Sequence, residues 1–327
     1  MAATDTTALA AEYATLTEGC GLVDRSERGK LALTGAGAVE FLNGQVTNEL
    51  VGLGSGEGCY AAFLSHKGKM LGDLRILSVG ENADELLLDT ERSALQALFD
   101  MVRRFKVGYD VELHKRTLES SLLSLLGPSA DKVATKAFVL DEAQLPAHEH
   151  GHLLAHLGQT PVRLIRTDSG VDALFETEAL ETMRDALEVA GAISVSEAAA
   201  EIVRVEHGQP RYGIDLDDST IPQEADLNER AVSFTKGCYV GQETVARLYY
   251  KGKPNRHLRG LLLSEPTEPG TALTLGERSV GSLGSSVVSP KFGPIGLGLV
   301  RREAEPGATV SVGERGADAV VVKLPFR

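Results

Sequence analysis

Hydrophobic positions along the first 250 residues switch repeatedly between a spacing of two, which marks strands, and one near 3.6, which marks helices. Ala8–Glu18 has helical spacing, Lys30–Leu33 reads as a short strand, and Ala36–Asn43 opens a helix with Val39 and Leu42 on one face. Tyr60–Leu64 and Met70–Val79 read as paired strands joined by SHKGK, whose Gly68 and lysines suit an exposed turn. Leu86–Asp89 predicts another strand, and Ala94–Phe105 a helix with Leu95, Leu98 and Val102 inward. Val111–Leu113 and Ser121–Leu125 continue the alternation, and a further helix opens after Pro128. The polar segment AQLPAHEHGHLLAH reads as an irregular connection. Pro161–Arg166 and Gly170–Phe175 then alternate like strands, while Glu178–Ala190 and Ala198–Glu206 predict helices.

The pattern changes near Pro254. From there LRGLLL, TALTL, VGSLGSSVVS, GPIGLGLV, ATVSV and AVVVKL follow one another with Gly and Pro between them. Short strands at such spacing predict a small antiparallel barrel or sandwich. The chain therefore divides into an α+β region over 1–253 and an all-β domain over 254–327.

Charge narrows the function classes. With 46 acidic against 33 basic side chains, the formal net charge of the 327 residues is -13. That argues against broad binding to a nucleic-acid backbone, although a local basic pocket for a small anion remains compatible with it. No basic n-region precedes an apolar core in the first twenty residues, and no apolar run reaches the roughly 18 residues that span a bilayer. The expectation is a cytoplasmic protein. Its three cysteines, Cys20, Cys59 and Cys238, form no CxxC pair, which points to reduced thiols and away from a resident all-cysteine metal site.

Three constellations carry candidate chemistry. The first is SFTKGCYVGQETVAR, Ser233 to Arg247, in which a Gly-rich turn feeds a helix beginning near Gly241. Unpaired backbone N–H groups at such a start carry partial positive charge. Cys238, two residues from Lys236, is the candidate reactive thiol, against the alternative of a packed thiol beside turn glycines. The second is VRVEHGQPRYGIDLDDSTIPQE, Val203 to Glu224, where Arg204 and Glu206 precede a loop able to present a carboxylate and a guanidinium to a planar heterocycle. Asp217 and Asp218 in that loop read as solvated acids. The third is HEHGHLLAH, with His148, His150, His152 and His156; it lacks HExxH, alternates, and reads as an exposed loop and not a metal site. GAGAVEFLNG is a weak dinucleotide-loop signal, and no P-loop or GxSxG is present.

With these residues in view, the chain resembles the glycine-cleavage T-protein superfamily, and within it the folate-binding YgfZ branch. KGCYVGQE at Lys236–Glu243 is similar to that branch's signature. GLVDRSERGKLALTGAGAVEFLNGQVTNEL with GKMLGDLRIL resembles the superfamily's N-terminal half, and VRVEHGQPRYGIDLDDSTIPQEADL its folate-site segment. The resemblance implies three subdomains ringed around a folate channel, two of them intertwined over 1–253 and the last an antiparallel β-barrel. It implies that Glu206 contacts the pterin of tetrahydrofolate or a one-carbon derivative, with Arg204, Gln242 and Glu243 as further cofactor-binding residues. Arg247, one helical turn beyond Glu243, is expected from its spacing to face the same channel and join them. Cys238 and Lys236 become the catalytic candidates. The implied role is an accessory protein for assembly or repair of iron–sulfur enzymes, with transient iron–sulfur protein partners and an indirect effect on tRNA thiomodification. The alternative is a tetrahydrofolate-dependent aminomethyltransferase or demethylase. That chemistry needs a carboxylate near the folate, and LLLDTERSALQALFD offers Asp89 and Asp100, with Asp89 the less poor candidate.

Overall fold

The computed structural model describes residues 3–80, 84–314 and 316–327. Helix Ala3–Glu18 leads into strand Gly21–Asp24, and two sheets and a closed barrel follow.

One sheet has five strands in the order Gly58–Leu64, Met70–Ser78, Glu85–Thr90, Gly29–Thr34 and Glu112–Lys115, every neighbouring pair antiparallel. Helices Ala38–Asn43 and Leu95–Phe105 cover one of its faces, burying Phe41, Leu42, Leu98 and Val102 against Leu31, Phe63, Leu74 and Ile76. Each such side chain, fully withdrawn from water, contributes about 1.5–3 kcal/mol, so packing and not intrinsic propensity holds the six-residue helix. Because side chains alternate along a strand, Asp73 and Arg75 point away from the face that Leu74 and Ile76 bury.

The second sheet runs Ile193–Ser194, Gly21–Asp24, Ser120–Leu126, Gly170–Glu176, Thr160–Arg166, His152–Leu157. Only the pairing of Ile193–Ser194 with Gly21–Asp24 is parallel. Helices Ala130–Phe138 and Leu180–Ala190 lay Val133, Phe138, Met183 and Leu187 on Leu123, Leu125, Leu164 and Ala173. The same alternation turns Ser124 and Asp172 to the opposite face. Strand Gly21–Asp24 precedes the whole five-stranded sheet in sequence and strand Ser120–Leu126 follows it, so the two sheets interleave along the chain.

One expectation is corrected here. HEHGHLLAH does not form an exposed loop: His152–Leu157 is an edge strand paired with Thr160–Arg166, and His152 is buried. Arg163 donates to His152 Nδ1 at 2.9 Å. The strand is legible in the alternation of Leu153, Ala155 and Leu157 only once its partner is known.

From Arg256 the chain closes a six-stranded antiparallel barrel, with Leu261, Leu273, Leu283, Val300, Val310 and Val321 inside. Closure leaves no unpaired strand edge. Helix Glu197–Glu206 joins the parts: Ala199 and Ala200 pack on Leu16 and Val23, while Val205 packs on Leu258, Ile295 and Leu297 of the barrel. Among the described residues no helix is long and apolar enough to cross a membrane.

Candidate functional site

A cavity of about 670 Å³ lies where the polar faces of the two sheets meet helix Glu197–Glu206 and the loop after it. Its size is that of a small-molecule or cofactor site. Arginines and carboxylates line it together, and most are paired.

The pairing forms a continuous ladder between the two sheets. Arg28 binds Glu91 and, at 2.8 Å, Asp89. Arg75 holds Asp89 at 2.8 Å with one nitrogen and Asp172 of the second sheet at 2.7 Å with another, and Ser124 donates to Asp172 at 2.6 Å. Arg75, Asp89 and Asp172 are all buried. Burial alone would raise the Asp89 carboxyl, but Arg28 and Arg75 hold it below its usual range. Asp89 is therefore a locked counter-ion, which removes it as the candidate general base. Asp100 lies exposed on helix Leu95–Phe105, paired with Gln96 at 2.9 Å, outside the cavity lining.

Asp73 is the carboxylate that the ladder leaves out. It is 5% exposed, lines the cavity, and among the described residues forms no ion pair. Burial, reinforced by Glu91, pushes its carboxyl up to about 6, against the hydrogen bond donated by Tyr60 and the charge of Arg28. A carboxyl tuned near neutrality can take and return a proton. Tyr60 is in turn held well above its ordinary range by burial and by Asp73, so it stays a donor. The Arg230 guanidinium stands 5.5 Å over the Tyr60 ring, and the His150 ring faces it at 6.2 Å and 27°.

Sequence reasoning missed Asp73, although the signal was there. In MLGDLRILS the polar Asp73 and Arg75 occupy alternate positions of a buried strand, a pattern that costs stability unless the polar face is used.

The residues predicted from sequence are dispersed. Arg204 lines the cavity, but pairs with Glu201 at 2.5 Å and Asp215 at 3.0 Å. Glu206, two residues on, lies outside the lining: it accepts from Tyr13 Oη at 3.1 Å and from Ser289 Oγ. Lys236 is buried, and its ammonium donates into an oxygen cage of Asn43 O at 2.8 Å, Asn43 Oδ1 at 3.1 Å, Val46 O at 2.9 Å and Asn48 O at 2.5 Å. Burial draws it down to about 8. Cys238 is exposed. The turn after it is fixed by Gly241, whose φ of +84° and backbone only 2.6 Å from Ser65 O (measured from where a Cβ would stand) admit no side chain. Helix Gln242–Lys251 starts there, with Glu243 and Arg247 exposed and Gln242 half-buried. None of Lys236, Cys238, Gln242, Glu243 and Arg247 lines the central cavity, so the expectation that Arg247 faces the same channel is not met. Asp217, exposed as expected, caps its own turn by accepting from Ser219 N at 2.9 Å. Among the described residues no group of three or more His, Cys, Asp or Glu side chains is placed to hold a metal ion.

This architecture has known counterparts. The crystal structure of glycine cleavage system aminomethyltransferase T from Bartonella henselae superposes with a TM-score of 0.86, covering 98% of this chain and 89% of that one at 24% identity, a likeness of fold. "Putative transferase At1g60990, chloroplastic" from Arabidopsis thaliana is 29% identical over 94% of this chain and 71% of its own length. An aminomethyltransferase from Chloroherpeton thalassium is 27% identical over 96% of this chain and 89% of its own. The family model described as GCVT N-terminal domain matches residues 3–236, well over half of the molecule, and the chain belongs to that family.

Proposed function

We propose that the central cavity binds tetrahydrofolate and that the protein is a folate-dependent transferase of one-carbon groups, of the aminomethyltransferase type. The observation that carries this reading is Asp73, a buried carboxyl raised to about 6 inside a cavity of cofactor size. Relatives named aminomethyltransferase over nearly the whole chain support it. The residues present fit a flat, polar heterocycle. Tyr60 offers an aromatic surface, and three buried polar atoms of the lining, Arg75 Nε, His150 Nδ1 and Thr167 Oγ1, have no hydrogen-bond partner. Such orphaned groups are costly unless a ligand satisfies them.

Tetrahydrofolate supplies the nitrogens that accept the one-carbon unit. The chain's own residues do the rest. Asp73 holds or releases a proton, Tyr60 orients that carboxylate through its hydroxyl, and the Arg28–Asp89–Arg75–Asp172 ladder keeps the two sheets at fixed spacing around the ligand. Arg211, paired with Glu197 at 2.6 Å, and Arg230, paired with Glu149 at 2.6 Å, also line the cavity, and a carboxylate-bearing tail would have to share or displace those partners.

The test is calorimetric titration of 5-formyltetrahydrofolate into wild type and Asp73→Asn, followed by an assay for methylene-tetrahydrofolate formed from an aminomethyl donor. Wild type binds and transfers; Asp73→Asn binds comparably and transfers about 10²–10⁴-fold more slowly. A wild type that binds no folate overturns the reading.

A second reading is favoured by one feature: the exposed Cys238 on a turn pinned by the caged Lys236. In it the protein is a folate-binding accessory of iron–sulfur enzymes, with Cys238 as its working thiol. Complementation of a deletion strain separates the two. Loss of iron–sulfur enzyme activity with Cys238→Ala but not Asp73→Asn selects the accessory role, and the reverse pattern selects transfer.

A further inference from the structure

His150 belongs to a stretch that reads as an exposed loop, yet the fold carries it into the wall of the central cavity, where its side chain keeps only 13% of its exposure. Its backbone is in the left-handed region at φ +66°, uncommon for a non-glycine residue, although His shares with Asn and Asp an enrichment there. The surroundings enforce that conformation. His150 N donates to Arg166 O at 2.9 Å, and His150 O lies so close to Gly58 that a Cβ there would stand 2.7 Å from it, so the two backbones pack directly. A non-glycine residue kept in this conformation in a cavity wall is a candidate for use.

The ring's chemistry is as constrained as its backbone. Burial, with Arg75 and Arg230 nearby, depresses the imidazole to about 3, so it is neutral at physiological pH. Glu149 Oε1 lies 3.4 Å from Nε2, and Glu149 is itself held by Arg230 at 2.6 Å. A carboxylate there selects the tautomer with the proton on Nε2, leaving a lone pair on Nδ1. That Nδ1 atom is enclosed and without a partner. The ring meanwhile faces Tyr60, the donor to Asp73.

We propose that His150 is a ligand-recognising residue of the central cavity, a neutral imidazole whose Nδ1 accepts a hydrogen bond from an N–H of the folate's bicyclic ring. Nδ1 is enclosed in the unliganded protein, so a turn of the ring about its Cβ–Cγ bond, which loosens the Glu149 contact, has to accompany binding. Arg75 Nε–H and Thr167 Oγ1, the other unpartnered atoms of the lining, then serve the ligand's acceptors. The inference rests on the folate reading, and its test keeps the two apart.

Two substitutions dissect the residue. Asn tolerates the left-handed conformation and places a polar atom where Nδ1 stands, so His150→Asn keeps 5-formyltetrahydrofolate affinity within about threefold. His150→Gly also tolerates that conformation but removes the acceptor and the ring, and its affinity falls about tenfold or more in protein whose cooperative thermal unfolding shows it folded. Independently of any variant, the Nδ1 resonance of His150 in long-range ¹⁵N spectra of wild type moves on folate addition. Equal affinity in wild type and His150→Gly, or an unmoved Nδ1 resonance in a protein that binds folate, overturns the role of His150. Absence of folate binding by wild type overturns the reading of the cavity and this inference with it.

Discussion

Asp73 and Arg75 stand two residues apart on one strand and face the same cavity, but only Arg75 is tied into ion pairs. The asymmetry sets the chemistry. Arg75 pairs with both Asp89 and Asp172, and with Arg28 it holds Asp89 ionised. Asp73, buried beside them without a cation of its own, is left near neutrality. Two carboxylates, Asp73 and Asp89, are thus pushed in opposite directions by their partners, which assigns one to proton handling and the other to support.

That assignment predicts a conflict between stability and activity at Asp73. Its folded carboxyl, raised to about 6, binds protons more tightly than the unfolded one at an ordinary 3.8. The folded state is therefore not penalised below about pH 4, loses stability as pH rises to about 6, and carries the full cost above that. Asp73→Asn removes the cost, so it stabilises the protein by up to about 3 kcal/mol at pH 7–8 and by almost nothing at pH 4. Urea unfolding at the two pH values measures this, and an equal effect at both would show that Asp73 is not the titrating group. Transfer activity of wild type rises through about pH 6, as the base becomes ionised.

Breaking the ladder has the opposite sign. Arg75→Met leaves Asp89 without one of its two arginines and Asp172 with only the Ser124 hydroxyl, both withdrawn from water. Removing one partner of a buried ion pair costs about 3–5 kcal/mol. The loss falls most on the contact between the sheets, because Arg75 comes from one and Asp172 from the other. The denaturation midpoint at pH 7 reads it, and in Arg75→Met a further Asp172→Asn change recovers part of the loss by removing the stranded charge.

What was legible in the sequence follows a physical line. Strands such as Met70–Ser78 and helices such as Leu95–Phe105 announce themselves because burial on one face imposes a period, and a barrel of short strands announces itself through its turns. Arg204 was found because it precedes a rigid loop. The rest of the site depends on long-range geometry that no local pattern encodes. His150 reaches the cavity only because His152–Leu157 pairs as an edge strand, and Lys236 is caged by oxygens some 190 residues earlier. Asp73 is the intermediate case: its alternation with Leu74 was readable, but its freedom from any arginine was not.

The three cysteines should separate by rate. Cys238 is exposed, whereas burial pushes the Cys20 and Cys59 thiols up to about 12. A thiolate is the reacting species, so native protein consumes one equivalent of a disulfide reagent quickly and the other two only on unfolding. Peptide mapping identifies the fast site, and more than one fast thiol would contradict the burial of Cys20 or Cys59. Cys238→Ser changes stability by no more than about 0.5 kcal/mol. Lys236→Met, by contrast, strands the carbonyls of Asn43, Val46 and Asn48 and costs about 2–4 kcal/mol, loosening the turn that presents Cys238.

Glu206 offers the sharpest choice between a structural and a ligand-binding role. Its carboxylate accepts from Tyr13 of the first helix and from Ser289 of the barrel, and its backbone carbonyl accepts from Phe326 N at 3.0 Å. Ser289 Oγ already accepts from Lys291 N at 3.0 Å and Phe292 N at 2.9 Å, so its proton has to go to Glu206. Glutamine satisfies this arrangement, with Oε1 accepting from Ser289 and Nε2 donating to the Tyr13 oxygen. Alanine does not, and it leaves the buried Ser289 hydroxyl without an acceptor. Glu206→Gln is therefore expected near wild-type stability, and Glu206→Ala about 1–3 kcal/mol below it. Amide exchange in residues 7–18 quickens in the alanine variant, because the tie to Tyr13 is gone. If Glu206 acts through this tie alone, the glutamine variant binds 5-formyltetrahydrofolate as wild type does. A glutamine variant that is stable but loses folate affinity places Glu206 in contact with the ligand and requires its side chain to leave Tyr13 and Ser289 on binding.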